Sequence, residues 1–136
     1  MSKTIFVVAN RDYPSTLKAC EVLKPNYNLI TSVNPVEALD YLRGSYTVDL
    51  LIADGNLKAD DISNSMSGEE FITQAHVYKP EMPAIYIPSK MMSSDLQRSG
   101  LMKIIDRMRH QNIKVDYIAM PITDKLEAKV KEMTSG

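Results

Sequence analysis

Hydrophobic positions along the chain fall into five short runs, separated by longer stretches in which apolar residues recur every three or four positions. The runs are residues 4–9 (TIFVVA), 28–32 (NLITS), 48–53 (VDLLIA), 84–87 (AIYI) and 115–119 (VDYIA). Their length, β-branched content and flanking turn residues predict strands. The near-continuous third run predicts one buried on both faces of a parallel sheet. The intervening segments predict helices. The first runs to about residue 23 with Leu17, Cys20, Val22 and Leu23 on one side. Asn34-Pro35 supplies an N-cap and a first-turn proline for a second, stopped by Gly44. Ser67-Gly68-Glu69-Glu70 and Ser94-Asp95-Leu96-Gln97 both have capping-box spacing. They open helices reaching about Tyr78 and Gln111, the latter with Leu101, Ile104, Ile105 and Met108 at helical intervals. Thr123 caps a last helix in which Leu126, Val130 and Met133 share a face. Five strands alternating with five helices predict an α/β domain, a parallel sheet covered on both sides. Residues 55–66 read as a polar loop. No repeat, low-complexity tract or linker divides the chain, so residues 1–136 are expected to form a single domain.

The third run ends on a carboxylate, Asp54, followed by Gly55-Asn56. In open α/β sheets ligands bind outside the carboxyl ends of the strands, so an acid there is placed for chemistry. The plainer role for a strand-end aspartate is a turn or cap.

Composition narrows the rest. At 136 residues the chain can bury roughly 65–70% of its unfolded surface without disulfides or metals. A net charge of −1 argues against a nucleic-acid footprint or a polybasic membrane patch. Cys20 is the sole cysteine; it excludes an internal disulfide, suits a reducing cytoplasm, and among Ala19, Val22 and Leu23 reads as a buried structural thiol. The first 30 residues hold no signal-peptide core, and no apolar stretch approaches the ~18 residues of a membrane span, so a cytoplasmic location is expected. His76 and His110 lack metal-type spacing and read as surface residues of helices. The five glycines form neither a dinucleotide fingerprint nor a Walker loop. The turn after the first strand lacks the glycine-containing phosphate cradle of a flavin-binding flavodoxin.

Taken in order, the β-α alternation, the D-L-L-I-A-D end of strand three, the helix-opening Ser67-Gly68-Glu69, Pro83 before strand four, and V-D-Y-I-A-M-P at strand five resemble a response-regulator receiver domain of two-component phosphorelay signalling. The resemblance spans essentially the whole chain. It implies a (βα)5 flavodoxin-like, doubly wound sheet with strand order 2-1-3-4-5. In the family, an aspartate ending strand three accepts a phosphoryl group from a histidine kinase. Two acids ending strand one help hold Mg²⁺, and a Ser or Thr ending strand four and a Lys ending strand five engage the phosphate.

Carried onto this sequence, the resemblance puts Asp54 at the acceptor position and Asn56 where a backbone carbonyl meets the metal. The acidic pair falls on Ala9 and Asn10. The hydroxyl position falls on Pro88 or, shifted by one, Ser89, and the lysine position on Met120. The pocket therefore resembles a pseudo-receiver's. Mg²⁺ binds through hard oxygens, usually one or two carboxylates plus phosphate, and Asp54 is the one carboxylate clearly at the site. Two like charges ~4 Å apart repel by about 4 kcal/mol at an effective dielectric near 20. Each ~1.4 kcal/mol is tenfold in rate, so phosphoryl transfer falls by about a thousandfold without metal or lysine.

Local substitutes are Arg11 and Lys90, which could bring positive charge, and Asp60 and Asp61, in a loop longer than the family's, which could bring ligands. Each also has a plain reading as a solvated loop charge. The long fourth helix and the segment before it carry Met91, Met92, Met102 and Met108; the last two suit the core. Receivers commonly signal through the face of helix four, strand five and helix five, so Met91, Met92, Arg98 and Arg109 are candidate partner contacts.

The reading is a divergent receiver that is not an enzyme. It acts as an interaction module with no cofactor, for a histidine kinase or a downstream signalling protein. Its rivals are a working acceptor phosphorylated at Asp54 with Mg²⁺ in a rebuilt pocket, and a small-molecule sensor at the same sheet edge. Homodimerisation is open, as is whether the chain stands alone or belongs to a larger protein.

Overall fold

The computed structural model describes residues 2–13, 15–59, 61–89, 94–119, 122 and 125–135. In chain order its elements are β1 (Thr4–Val8), α1 (Ser15–Cys20), β2 (Asn28–Ser32), α2 (Pro35–Arg43), β3 (Leu50–Asp54), β4 (Asn56–Leu57), β5 (Met66–Ser67), α3 (Gly68–Tyr78), β6 (Ala84–Ile87), α4 (Asp95–Arg109), β7 (Val115–Tyr117) and α5 (Lys125–Thr134). Five strands pair in parallel in the order β2-β1-β3-β6-β7. Numbered along the sheet's own strands this is the expected 2-1-3-4-5. Among the described residues no helix is long and apolar enough to cross a membrane.

Strand alternation sorts the core into two layers. Phe6, Val8, Leu51, Ala53 and Tyr86 pack with α2, α3 and α4, including Leu42, Phe71 and Ile105. Ile5, Val7, Leu50, Ile52, Ile85 and Ile87 pack with α1 and α5, including Cys20, Leu126 and Val130. Each strand residue therefore contributes to one layer according to its parity. Asp49, the polar break in the third run, accepts the Thr4 backbone N–H through Oδ2 at 2.7 Å and so ties the start of β1 to the approach to β3.

The caps form at the expected residues, although at Ser67 only the side-chain half of the box is seen, with the Glu70 carboxylate accepting from Gln74 at 3.4 Å. Asn34 accepts from Val36 and Glu37, and Ser67 accepts from Glu70. At Ser94 both halves of the box with Gln97 form. The Thr123 cap lies outside the described residues.

Several boundaries differ from the sequence reading. The first helix is α-helical only to Cys20 and tightens to a 3-10 turn over Glu21–Leu23. That rotation leaves Val22 48% exposed instead of in the core. β3 begins two residues later than expected and includes Asp54, while β7 stops at Tyr117 and α4 at Arg109. Met108 is fully buried, but Met102 is only half-buried. His76 is half-buried, with its Nδ1 enclosed and without a hydrogen-bond partner among the described residues. His110 lies just past the end of α4 as its C-cap.

The largest correction concerns residues 55–66. This stretch is not a plain polar loop, because β4 and β5 pair antiparallel beside the main sheet. Leu57 and Ala59 are buried, and the Ala59 N–H donates to Ser65 Oγ. Leu57 joins the core layer under α2, α3 and α4, and Met66 packs against it, so the excursion folds back onto the domain.

Candidate functional site

Asp54 closes β3 with its side chain on the α1 side of the sheet, the parity of Leu50 and Ile52. It is 7% exposed. Its Oδ1 accepts the Thr16 hydroxyl at 2.6 Å, and its Oδ2 accepts the Asn10 backbone N–H at 2.7 Å. Both donors are neutral. Burial raises the Asp54 carboxyl above the ordinary aspartate range, and the two hydrogen bonds offset only part of that. One turn beyond Thr16 on α1, the fully buried Cys20 has its thiol pushed up to about 12 by burial and then by the Asp54 charge. A thiol held so far from thiolate is a packing group, as its sequence context predicts.

Asn10, 4% exposed, organises the neighbouring segments. Its Nδ2 donates to the Asn56 carbonyl at 2.7 Å, and its Oδ1 accepts the Asp12 N–H at 2.8 Å. Because one partner is an acceptor and the other a donor, the network fixes the amide orientation. Two glycines allow the close approach. The Gly55 N–H donates to Ile87 O at 2.7 Å, and the Gly68 N–H donates to Gly55 O at 2.8 Å. A Cβ at Gly68 would collide with the Asp54 carbonyl oxygen, so α3 can start here only without a side chain. The Glu69 carboxylate then takes a bidentate pair from Arg107, 2.8 Å to each oxygen, linking the start of α3 to the end of α4. That guanidinium holds the Glu69 carboxyl below its usual range.

Among the described residues, Asn10, Tyr13, Ser15, Thr16, Asp54, Asn56, Pro88 and Ser89 line a cavity of about 60 Å³. That is room for a few waters. The structure thus brings Asp54, Asn10, Asn56, Pro88 and Ser89 together, with Pro88 buried and Ser89 exposed. Ala9 is fully buried, and its N–H continues the ladder to Ser32 O.

Of the candidate substitutes, Arg11 and Asp61 are among the described residues. Arg11 pairs with Asp12 at 3.3 Å, and Lys58 reaches the same carboxylate at 3.4 Å. Asp61 caps the 3-10 turn Ile62–Asn64 by accepting the Ser63 N–H, which lowers its carboxyl. Lys90, Asp60, Met91, Met92 and Met120 lie outside the described residues. Sequence reasoning missed Tyr13, Ser15 and, above all, Thr16, which bonds Asp54 directly. The signal for Thr16 was its position four residues before the buried Cys20, which puts both on one face of α1.

The described residues do not make a set that fits magnesium. It demands near-octahedral oxygen ligands and retains several waters. Here the amide N–H of Asn10 is aimed at the Asn56 carbonyl, the group that the resemblance implies for the metal. Among the described residues no group of three or more His, Cys, Asp or Glu is placed to hold a metal.

This arrangement sits on a familiar scaffold. A CheY-like response regulator receiver domain protein from Methanospirillum hungatei JF-1 is 19% identical over 99% of this chain and 95% of that one, with a TM-score of 0.72. The BeF3-activated DrrB receiver domain is 20% identical over 100% of both chains, at 0.72. The fold is that of a receiver domain. An adenylate cyclase from Rhodopirellula baltica shares the shape at 14% identity, 99% of this chain and 89% of that one, and 0.73. No family model and no curated protein matches the sequence.

Proposed function

We propose that the protein is a receiver of two-component signalling that works as a protein-interaction module, without phosphoryl transfer at Asp54. The observation that supports it is the pair of neutral hydrogen bonds that engage the Asp54 carboxylate, with the Asn10 amide on the adjoining carbonyl. To attack a phosphoryl donor, the carboxylate must shed or share a bond worth about 1.5–3 kcal/mol and then stand beside the phosphate's charge without a metal.

A signalling protein is the natural partner, a histidine kinase or a downstream component. The exposed start of α4 offers it a contact. Leu96 is 84% exposed, and Arg98 pairs with Asp95 of its own helix at 3.1 Å. Arg109 is less available, since its Nε donates to the Val115 carbonyl at 3.1 Å.

The deciding experiment adds beryllofluoride with Mg²⁺, the phosphoryl mimic of the activated DrrB receiver, and follows thermal unfolding. A ligand at a hundred times its dissociation constant stabilises by about 2.7 kcal/mol. An unchanged melting curve supports the interaction module. A rise of several degrees establishes a working phospho-acceptor instead.

A further inference from the structure

We propose that Asn10, through its carboxamide and its backbone N–H together, does the cross-linking work of the divalent cation that a receiver-type site would hold, so that the junction of β1, β3 and β4 is permanent and needs no ligand. The inference rests on the reading above and goes further, naming the residue that makes the metal unnecessary.

A cation at a strand-end site has two effects. It draws oxygens from separate segments to one point, and it neutralises the carboxylates among them. Asn10 reproduces the first effect. From the end of β1 it donates its backbone N–H to Asp54 on β3 and its side-chain N–H to Asn56 at the start of β4. It accepts the Asp12 N–H from the turn before α1. These are three short bonds from one buried residue, directed at three segments. The second effect is missing, because an amide carries no charge. The Asp54 carboxylate is accordingly left to neutral donors.

The substitution that separates these effects is Asn10→Asp, which preserves shape while replacing the N–H₂ donor with an oxygen. Facing the Asn56 carbonyl and close to Asp54, the introduced carboxylate meets repulsion where the amide met an acceptor. The same exchange completes a set of three hard oxygens. The wild-type chain is expected to melt identically in chelator and in about 10 mM Mg²⁺ or Mn²⁺, a concentration that reveals sites of millimolar affinity. The Asn10→Asp chain is expected to melt several degrees lower in chelator and to recover most of the loss with either cation. Asn10→Ser, which shortens the side chain without adding charge, is expected to be destabilised and indifferent to the cations.

Three results overturn the proposal. They are an Asn10→Asp chain as stable as wild type in chelator, one that shows no response to Mn²⁺, and one that stays unfolded with the cation present. A wild-type chain that is itself stabilised by Mg²⁺ overturns the proposed function as well, and is distinguishable because it appears before any substitution is made.

Discussion

Two aspartates share one face of the sheet and are treated in opposite ways. Asp54 ends β3 beneath α1 and is held by a hydroxyl and a backbone N–H. Asp116, on the edge strand β7, lies beneath α5, where Lys129 Nζ approaches to 2.6 Å and Arg109 to 4.0 Å. Partial burial works against the Asp116 charge, but the ammonium prevails and its carboxyl sits below the ordinary range. At Asp54 burial prevails. The difference teaches that burial and partner act together: Asp54 is deeply buried with neutral donors, whereas Asp116 keeps more contact with water and gains an ammonium beside the Tyr117 N–H. In receivers the strand-end acid has its cations supplied at the site. Here it is the edge position that has an ammonium in contact and a guanidinium near it.

The bluntest way to break the comparison is Gly68→Ala. The new methyl would meet the Asp54 carbonyl oxygen and come within 2.8 Å of Gly55 Cα, both backbone atoms that cannot rotate away. Destabilisation of about 3 kcal/mol is expected, at the upper end of overpacking costs, and urea unfolding measures it. An unaffected midpoint would show that α3 does not press on the end of β3.

A sharper test removes one partner from each aspartate. Thr16→Val keeps the shape but takes the hydroxyl from a buried carboxylate, and a loss of about 2 kcal/mol is expected. Lys129→Met removes the ammonium from Asp116, where a quarter of each side chain still meets water; about 1 kcal/mol is expected. The Lys129→Met loss should shrink in high salt, whereas the Thr16→Val loss should not. Equal losses with equal salt dependence would erase the distinction between the two sites.

Much of this was readable in the sequence, for reasons of period. The strands 28–32 and 84–87 and the caps Asn34 and Ser94 depend on local chemistry, and they stand where local chemistry put them. Strand order came from the family resemblance. The strand-end place of Asp54 was legible because a run of apolar residues stops at it, while its reading as an acceptor came from the resemblance. What Asp54 touches was not legible, since Thr16 lies 38 positions away and meets it only through packing of α1 on the sheet. Nor was the pairing of β4 with β5, which rests on two-residue strands with no period of their own. At Asn10 the sequence showed a lost carboxylate; the two bonds of the amide and the one from the backbone N–H appear only in three dimensions.

The smallest effect carries the most information about sign. Asp54 has a carboxyl raised by burial, so its contribution to stability is fully present below the unfolded value near 3.9 and is lost as pH rises through the folded value. Asp116 and Glu69 run the other way: their lowered carboxyls stabilise above the unfolded value, and that stability is lost as pH falls through the folded one. Asp54→Asn isolates the first contribution. The amide can accept the Asn10 N–H with its oxygen and donate to Thr16 Oγ, keeping both contacts without a charge. At neutral pH the variant is therefore expected to melt roughly 2–5 °C above wild type, the scale of a modest single substitution. Below about pH 4 the two melting temperatures should converge, because wild-type Asp54 is then neutral as well. A variant less stable than wild type at neutral pH would mean that the carboxylate is satisfied where it stands. The contrast with Asp116 would then rest on geometry and not on charge.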